Sequence, residues 1–273
     1  MPVTKKLVED FISKYNNKFS TDLENDEAYT TVVRLASLNR ALQNIKTYFK
    51  TVIVVSGSEQ ERDLRIINFD NLYVLNYEDD WRDTMVKLED KKIIKNKLDK
   101  KFKRKWDLDK SWKDFEVPQC DLVICNQVFE HIFNPHQAIK NIIQLVKKGG
   151  YIFISVPSIN CIHGEPHYYS SGYHPRYLQR LGDENNLKTI YSDYWGSIKF
   201  MLHKCAGRWR SYRDLAPGIH DKSDLRFPSF IFVDGRIHNV TNSLILKLQK
   251  YHLDLPYPTH IIDDCWILFQ KNY

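Results

Sequence analysis

No apolar run in this 273-residue chain approaches the length needed to cross a bilayer, so a transmembrane helix is not expected. It also lacks any Cys-x-x-Cys pair and any Cys/His grouping at zinc spacing. The five cysteines, Cys120, Cys125, Cys161, Cys205 and Cys265, stand apart and read as reduced, buried thiols of a cytoplasmic protein. A basic region followed by an apolar one is missing too: MPVTKKLVEDFISKYNNKF mixes charges into its apolar positions, so it is not read as a signal peptide. Without secretion, the Asn-Val-Thr triplet at Asn239 carries no meaning.

What is present is a globular composition, 42% hydrophobic, in a chain long enough for one large decorated core. Its formal net charge of +6 is uneven. From Lys87 to Lys113 there are eleven lysines and one arginine against five carboxylates. Such a segment suits nucleic acid, an acidic lipid surface or a phosphorylated substrate. It equally suits a solvated helix whose apolar side is Ile93, Ile94, Leu98 and Phe102. Aromatic residues are not interleaved as stacking platforms require, which disfavours nucleic acid.

The stretch from Cys120 to Pro157 carries the clearest signal. Asp121–Cys125 and Tyr151–Val156 are apolar runs of the kind found in strands covered on both faces. Between them Ala138, Ile139, Ile142, Ile143, Leu145 and Val146 recur at helical spacing. Lys147, Lys148 and Gly149 are expected to close that helix with favourable charge and a left-handed cap. A strand, helix, parallel strand unit follows. Further strands are expected at Thr51–Val55, at Leu72–Leu75, before Asp107 and at Leu187–Tyr194. Two helices precede them, one with Leu7, Val8, Phe11 and Ile12 on a face. The other runs from Asp26 to Tyr48 on a stripe of Val32, Val33, Leu35, Leu38, Leu42 and Ile45.

The EHI at Glu130 to Ile132, the Asn134-Pro135 pair and KKGGYIFISVP resemble the second half of S-adenosylmethionine (SAM) dependent methyltransferases with the Rossmann-like fold. The resemblance covers roughly Thr51 to Trp195, with a matching last strand at Cys265–Gln270. It implies an α/β fold: a doubly wound, mostly parallel, seven-stranded sheet whose last strand inserts antiparallel beside the fifth. The expected division is 1–50 as a helical cap, 51–195 as the cofactor-binding core, 196–260 as a substrate-side lid and 261–273 as the final strand. The lid includes a helix at Val240–Tyr251, and Arg208, Arg210 and Arg213 interleaved with Trp209 and Tyr212.

S-adenosyl-L-methionine is the implied cofactor. Its methionine portion belongs at the turn after the first strand, where VIVVSGSEQERDL departs from the family pattern. Val54 stands at the usual acidic position and Gly57 alone remains of the glycines, flanked by Ser56 and Ser58. Either this small-residue turn still holds the cofactor or the domain has lost it. The ribose hydroxyls fall to Asn76 or Glu78, unless Glu78 belongs to a helix cap with Asp79 and Asp80. The adenine falls to Asp107 and Leu108, unless that loop only neutralises lysines. Asn126 and Gln127 border the methionine moiety at the carboxyl edge of the sheet.

If the acceptor is a hydroxyl, a base must take its proton. His131 is the first candidate, against a capping or packing role. His163, Glu165, His167, Tyr168, Tyr169, Tyr173 and His174 crowd the loop after the fifth strand, which is similar to the acceptor loop of methyltransferases acting on sugars and lipid-linked glycans. His167 and Tyr169 are the preferred residues there. The alternate spacing of His163, Glu165 and His167 would also suit a metal, which is not the preferred reading. The expected function is O-methylation of a small hydroxylated, sugar or glycan-precursor acceptor that carries phosphate in some forms. Its rivals are a nucleic-acid methyltransferase using the lysine-rich segment, disfavoured by the absence of an Asn/Asp-Pro-Pro-Tyr signature, and a binding or scaffold protein without catalysis.

Overall fold

The computed structural model describes residues 5–15, 26–43, 45, 48–57, 61–75, 107–112, 118–160, 167–196, 230–233, 236–239 and 262–272. Strands β1 (Tyr48–Val55) and β3 (Cys120–Asn126) are runs of β-branched and apolar residues, and the sheet they form is buried on both sides. The two-residue period decides which cover each side chain meets. Ile53, Val55, Val123 and Cys125 pack into one cluster, and Val52, Val54, Leu122 and Ile124 into the other.

The first cluster is closed by α3 (Pro135–Leu145) and α4 (Pro175–Glu184), the second by α1 (Lys5–Tyr15) and α2 (Asp26–Gln43). The result is a three-layer α/β/α arrangement. Helix α3 starts where the Asn134 side chain accepts from Gln137 N at 3.1 Å, with Pro135 in the first turn. Helix α4 starts in the same way, its cap being His174, whose Nδ1 accepts from Arg176 N at 3.1 Å.

With β2 (Asn68–Leu75), β4 (Val146–Pro157), β5 (Leu187–Trp195) and β8 (Asp264–Lys271), the described sheet has six strands in the order β2-β1-β3-β4-β8-β5. The pairs β1–β2, β1–β3 and β3–β4 are parallel, while β8 lies antiparallel between β4 and β5. This is the expected doubly wound fold with its late antiparallel strand. The strand expected before Asp107 lies outside the described residues, as do the Val240–Tyr251 helix and the arginines of the anticipated lid. That region does hold a hairpin, β6 (Phe230–Val233) against β7 (Arg236–Asn239), which the sequence did not suggest.

Two expected boundaries are corrected. Helix α2 ends at Gln43, and Tyr48 opens β1 rather than closing the helix. Helix α3 ends at Leu145 with Val146 already extended, so Lys147, Lys148 and Gly149 belong to β4. Gly149 is left-handed, with φ of 77°, but it serves an irregularity in the β3–β4 register: Cys120 pairs with Val146 and Leu122 already with Tyr151. Lys147 instead forms an ion pair with Asp121 at the start of β3.

Helix α2 is fixed to the sheet by polar as well as apolar contacts. Trp266 Nε1 donates to Ser37 Oγ at 2.7 Å, and Ser37 in turn meets the Tyr191 hydroxyl at 2.7 Å. Tyr191 donates to Asp193 and accepts from Arg40, and burial pushes its phenol up to about 12. On the opposite face α4 lies close against β8. A Cβ added at Gly182 would fall 2.2 Å from Cε1 and 2.6 Å from Cζ of the buried Phe269 ring. Gly182→Ala is therefore expected to destabilise the fold by about 1–3 kcal/mol, read as a lower urea midpoint at unchanged slope.

Candidate functional site

The chain leaves β1 for β2 on one side and returns to β3 on the other, so the carboxyl ends of β1 and β3 border a topological switch point. Ser56 and Gln127, which follow these strands, are both left-handed, with φ of 54° and 53°. Neither is glycine, so each conformation is held at a cost of about 1–3 kcal/mol by the surrounding structure. The holding contacts extend the ladders by one residue: Ser56 N donates to Leu75 O at 2.6 Å, and Gln127 N to Ser155 O at 2.8 Å. Strain at both lips of the crevice is what a binding site commonly retains.

Gly57 is buried beneath this turn. A Cβ there would stand 2.6 Å from Val54 Cγ1 and 2.9 Å from Glu61 Oε1, so its place is taken by a carboxylate from the following turn. Asn126 joins the two sides. Its Nδ2 donates to Asp63 Oδ2 at 3.0 Å and Glu61 Oε2 at 3.3 Å, and its Oδ1 accepts from Ser155 Oγ at 2.8 Å. Asp63 is fully buried and also takes Arg34 Nη2 of α2 at 3.0 Å. Burial alone would lower the Arg34 pKa, but Asp63, then Glu61 and Asp264, more than reverse this and keep the guanidinium charged.

Asp107 and Leu108 lie in a turn held against α3, where Asn141 Nδ2 donates to the carbonyls of Leu108 and Lys110 at 2.9 and 2.8 Å. The Asp107 carboxylate is engaged inside that turn, accepting from Asp109 N and pairing with Lys110 at 3.0 Å. Asp109 accepts from the backbones of Phe133 and Asn134 and so ties the turn to the loop before α3. Ser58, Asn76, Glu78, His163 and Glu165 lie outside the described residues.

The remaining candidates do converge. The loop after β4 returns over the turn after β3, where Tyr169 N and Ser170 N donate to Glu130 O at 2.8 and 3.2 Å. The Tyr173 hydroxyl donates to Phe129 O at 2.8 Å, and burial raises it to about 12, so it remains a phenol donor. His131 Nδ1 lies 2.6 Å from His167 O. A carbonyl only accepts, so Nδ1 carries a proton, and in the neutral ring Nε2 then holds the lone pair. Nε2 is 3.9 Å from Oε1 of the buried Glu130. The Tyr168 ring stands edge-on to His131 at 6.0 Å, and the exposed rings of Phe133 and Tyr169 meet at 5.5 Å. His174, by contrast, is occupied as a helix cap.

Cys125 lies under both groups. Burial pushes its thiol up, and the charges of Glu130 and then Glu61 push it further, so both carboxylates act on the same buried sulfur. The reading of the sequence passed over Arg34, Glu61, Asp63 and Ser155. Glu61 and Asp63 stand in the SEQERDL segment after β1, and their acidic side chains were the available signal. Nothing in the helical pattern marked Arg34.

Residues 40–205, more than half of the chain, match the family model described as "Methyltransferase domain". No curated protein matches the chain. Among solved structures, a chain in the complex of the Haloferax volcanii Trm112 methyltransferase activator with a methyltransferase is 12% identical, at a TM-score of 0.46, over 87% of this chain and 89% of that one. A SAM-dependent methyltransferase from Archaeoglobus fulgidus is 14% identical, at 0.41, over 88% and 94%. The N-methyltransferase NodS from Bradyrhizobium japonicum WM9 is 10% identical, at 0.39, over 93% and 99%.

Proposed function

The chain belongs to the methyltransferase-domain family, and from that premise we propose that it methylates an oxygen of a small hydroxylated acceptor, a sugar or glycan precursor with or without phosphate. It is an enzyme of the SAM-dependent class, and S-adenosyl-L-methionine is its cofactor. No helix among the described residues is long and apolar enough to cross a membrane. The three described cysteines, Cys120, Cys125 and Cys265, are free and buried, which supports the cytoplasm as the working compartment.

The residues at the β1–β3 crevice suit the amino-acid end of the cofactor. Gly57 lets the Glu61 carboxylate lie directly against the turn, and Glu61, Asp63 and Arg34 gather charges of both signs there, as a zwitterion requires. Fully buried Asp63 Oδ1, and Arg34 Nε, have no hydrogen-bond partner among the described residues. We assign this end to Ser56, Gly57, Asn126 and Gln127, with Ser58 completing the turn. Asn76 or Glu78 would take the ribose. Leu108 would border the adenine, with Asp107 contributing only if its carboxylate leaves its own turn.

When bound, the cofactor supplies a methyl carbon on a sulfonium, open to in-line displacement. The chain must then position the acceptor oxygen and take its proton. His131 carries this reading. Its Nδ1–H is directed at His167 O, which turns the other ring nitrogen, Nε2, toward the Glu130 carboxylate, where a proton taken from the acceptor becomes a positive charge stabilised by that carboxylate. Phe133 and Tyr169 present flat apolar faces at the rim, and Tyr169 adds a hydroxyl, which together suit the ring of a sugar.

Incubation with methyl-labelled SAM and a panel of sugars, sugar phosphates and nucleotide sugars tests the proposal. Label recovered as an ether on a sugar hydroxyl is the expected result. Label recovered only on nitrogen, or only on RNA or DNA, would overturn it.

A further inference from the structure

β1 itself brings no charge to the switch point: Val52, Ile53, Val54 and Val55 are buried and apolar, and Ser56 is neutral. The charge arrives from the next turn. The carboxylates of Glu61 and Asp63 are drawn to one amide nitrogen, Nδ2 of Asn126, at 3.3 and 3.0 Å. Asp264 adds a third carboxylate whose charge acts on Arg34. Bringing like charges together in a buried place is costly unless a cation joins them. Asp63 is fully buried, yet its Oδ1 has no hydrogen-bond partner among the described residues. That oxygen is an acceptor that the described residues leave unmatched.

Glu61 is half-buried, unlike the fully buried Asp63, and it is the carboxylate that touches the glycine turn. Its Oε1 would be 2.9 Å from a Cβ on Gly57, so the carboxylate lies against the glycine turn at the carboxyl end of β1. Its other oxygen is oriented by Asn126, which is held in turn by Ser155 on β4. We infer that Glu61 receives the ammonium group of the cofactor's amino-acid end, with Asn126 as the residue that positions it and Asp63–Arg34 as its fixed base. This rests on the reading that the crevice binds SAM, and it gives the turn a carboxylate that β1 does not contain.

The test is calorimetric titration of the full chain and of Glu61→Gln with S-adenosylhomocysteine and with 5′-methylthioadenosine, which has the nucleoside but no amino-acid end. Loss of a charge-assisted hydrogen bond weakens S-adenosylhomocysteine by at least about tenfold. Methylthioadenosine is expected to bind both proteins equally, within about twofold. Equal S-adenosylhomocysteine affinity in both proteins overturns the inference while leaving the crevice as the cofactor site. A parallel loss of methylthioadenosine overturns it too, because Glu61 would then act on the fold of the turn. If the unsubstituted protein binds neither compound, the cofactor reading itself fails and this inference falls with it. Should Glu61→Gln not fold, Glu61→Asp is measured instead. It keeps the charge at a shorter reach and is expected to weaken S-adenosylhomocysteine selectively. An unchanged ratio between the two ligands overturns the inference.

Discussion

Replacing His131 with asparagine is expected to lower kcat by about two to four orders of magnitude, the range for removal of a general base, and to change S-adenosylhomocysteine affinity by no more than about twofold. Asparagine is the informative substitution. Its Nδ2 takes the position of the histidine Nδ1 and donates to His167 O, so the 2.6 Å tie between the two loops survives. What is lost is Nε2, the atom beside Glu130. If His131 only orients the acceptor loop, His131→Asn should retain most of the rate and His131→Ala should lose it. Single-turnover assays at saturating acceptor separate the two. A base role makes both variants equally slow, whereas a structural role makes only alanine slow.

Gly172→Ala should have the largest effect on stability near the site. An added Cβ would lie 2.1 Å from the carbonyl oxygen of Ser158 and 2.4 Å from its carbonyl carbon. These are backbone atoms, so no rotamer change relieves the clash. The loop is clasped to the end of β4 on both sides of this glycine: Asn160 N donates to Ser171 O at 2.7 Å, Tyr173 N to Pro157 O at 2.8 Å, and Ser158 Oγ to Tyr173 O at 2.6 Å. Overpacking of this kind costs about 1–3 kcal/mol or more. In a chain of this size that is a fall in Tm of roughly 2–12 °C. The same loop carries the His167 carbonyl, so kcat should fall beyond what unfolding explains. A variant with unchanged Tm and rate would show that the clasp is not needed.

The order β3-α3-β4 was legible because long apolar runs leave few alternatives, and β8 because its last residues repeat that pattern. Strand β1 was legible for the same reason. The end of α2 was not: Ile45 continues the helical stripe, while Tyr48 and Phe49 suit a strand as well, and pairing with β2 decides between them. Nor was the role of Gly149, since a glycine after two lysines reads as a helix cap until the β3–β4 register is known.

At the crevice, Ser56, Gly57, Asn126 and Gln127 were legible as candidates from their place after strands, which the chain order carries. The charges were not found, because Arg34 and Asp63 meet across 29 residues and Asn126 and Glu61 across 65. No local spacing encodes such meetings. The convergence of His131 with His167 was anticipated as two candidates, but their tie runs through a backbone carbonyl, which side-chain identity does not announce. Asp107 shows the converse: its acidic side chain was legible, and the structure commits it to Asp109 N and Lys110 within its own turn.

The central claim is that the crevice between the carboxyl ends of β1 and β3 holds the cofactor. Its most direct test is titration of S-adenosylhomocysteine into the protein, followed by a thermal melt with and without the ligand. Binding at one site per chain, with a dissociation constant on the order of micromolar and a raised Tm, is the expected result. A folded protein that gives no heat and no shift in Tm at millimolar ligand would contradict the claim.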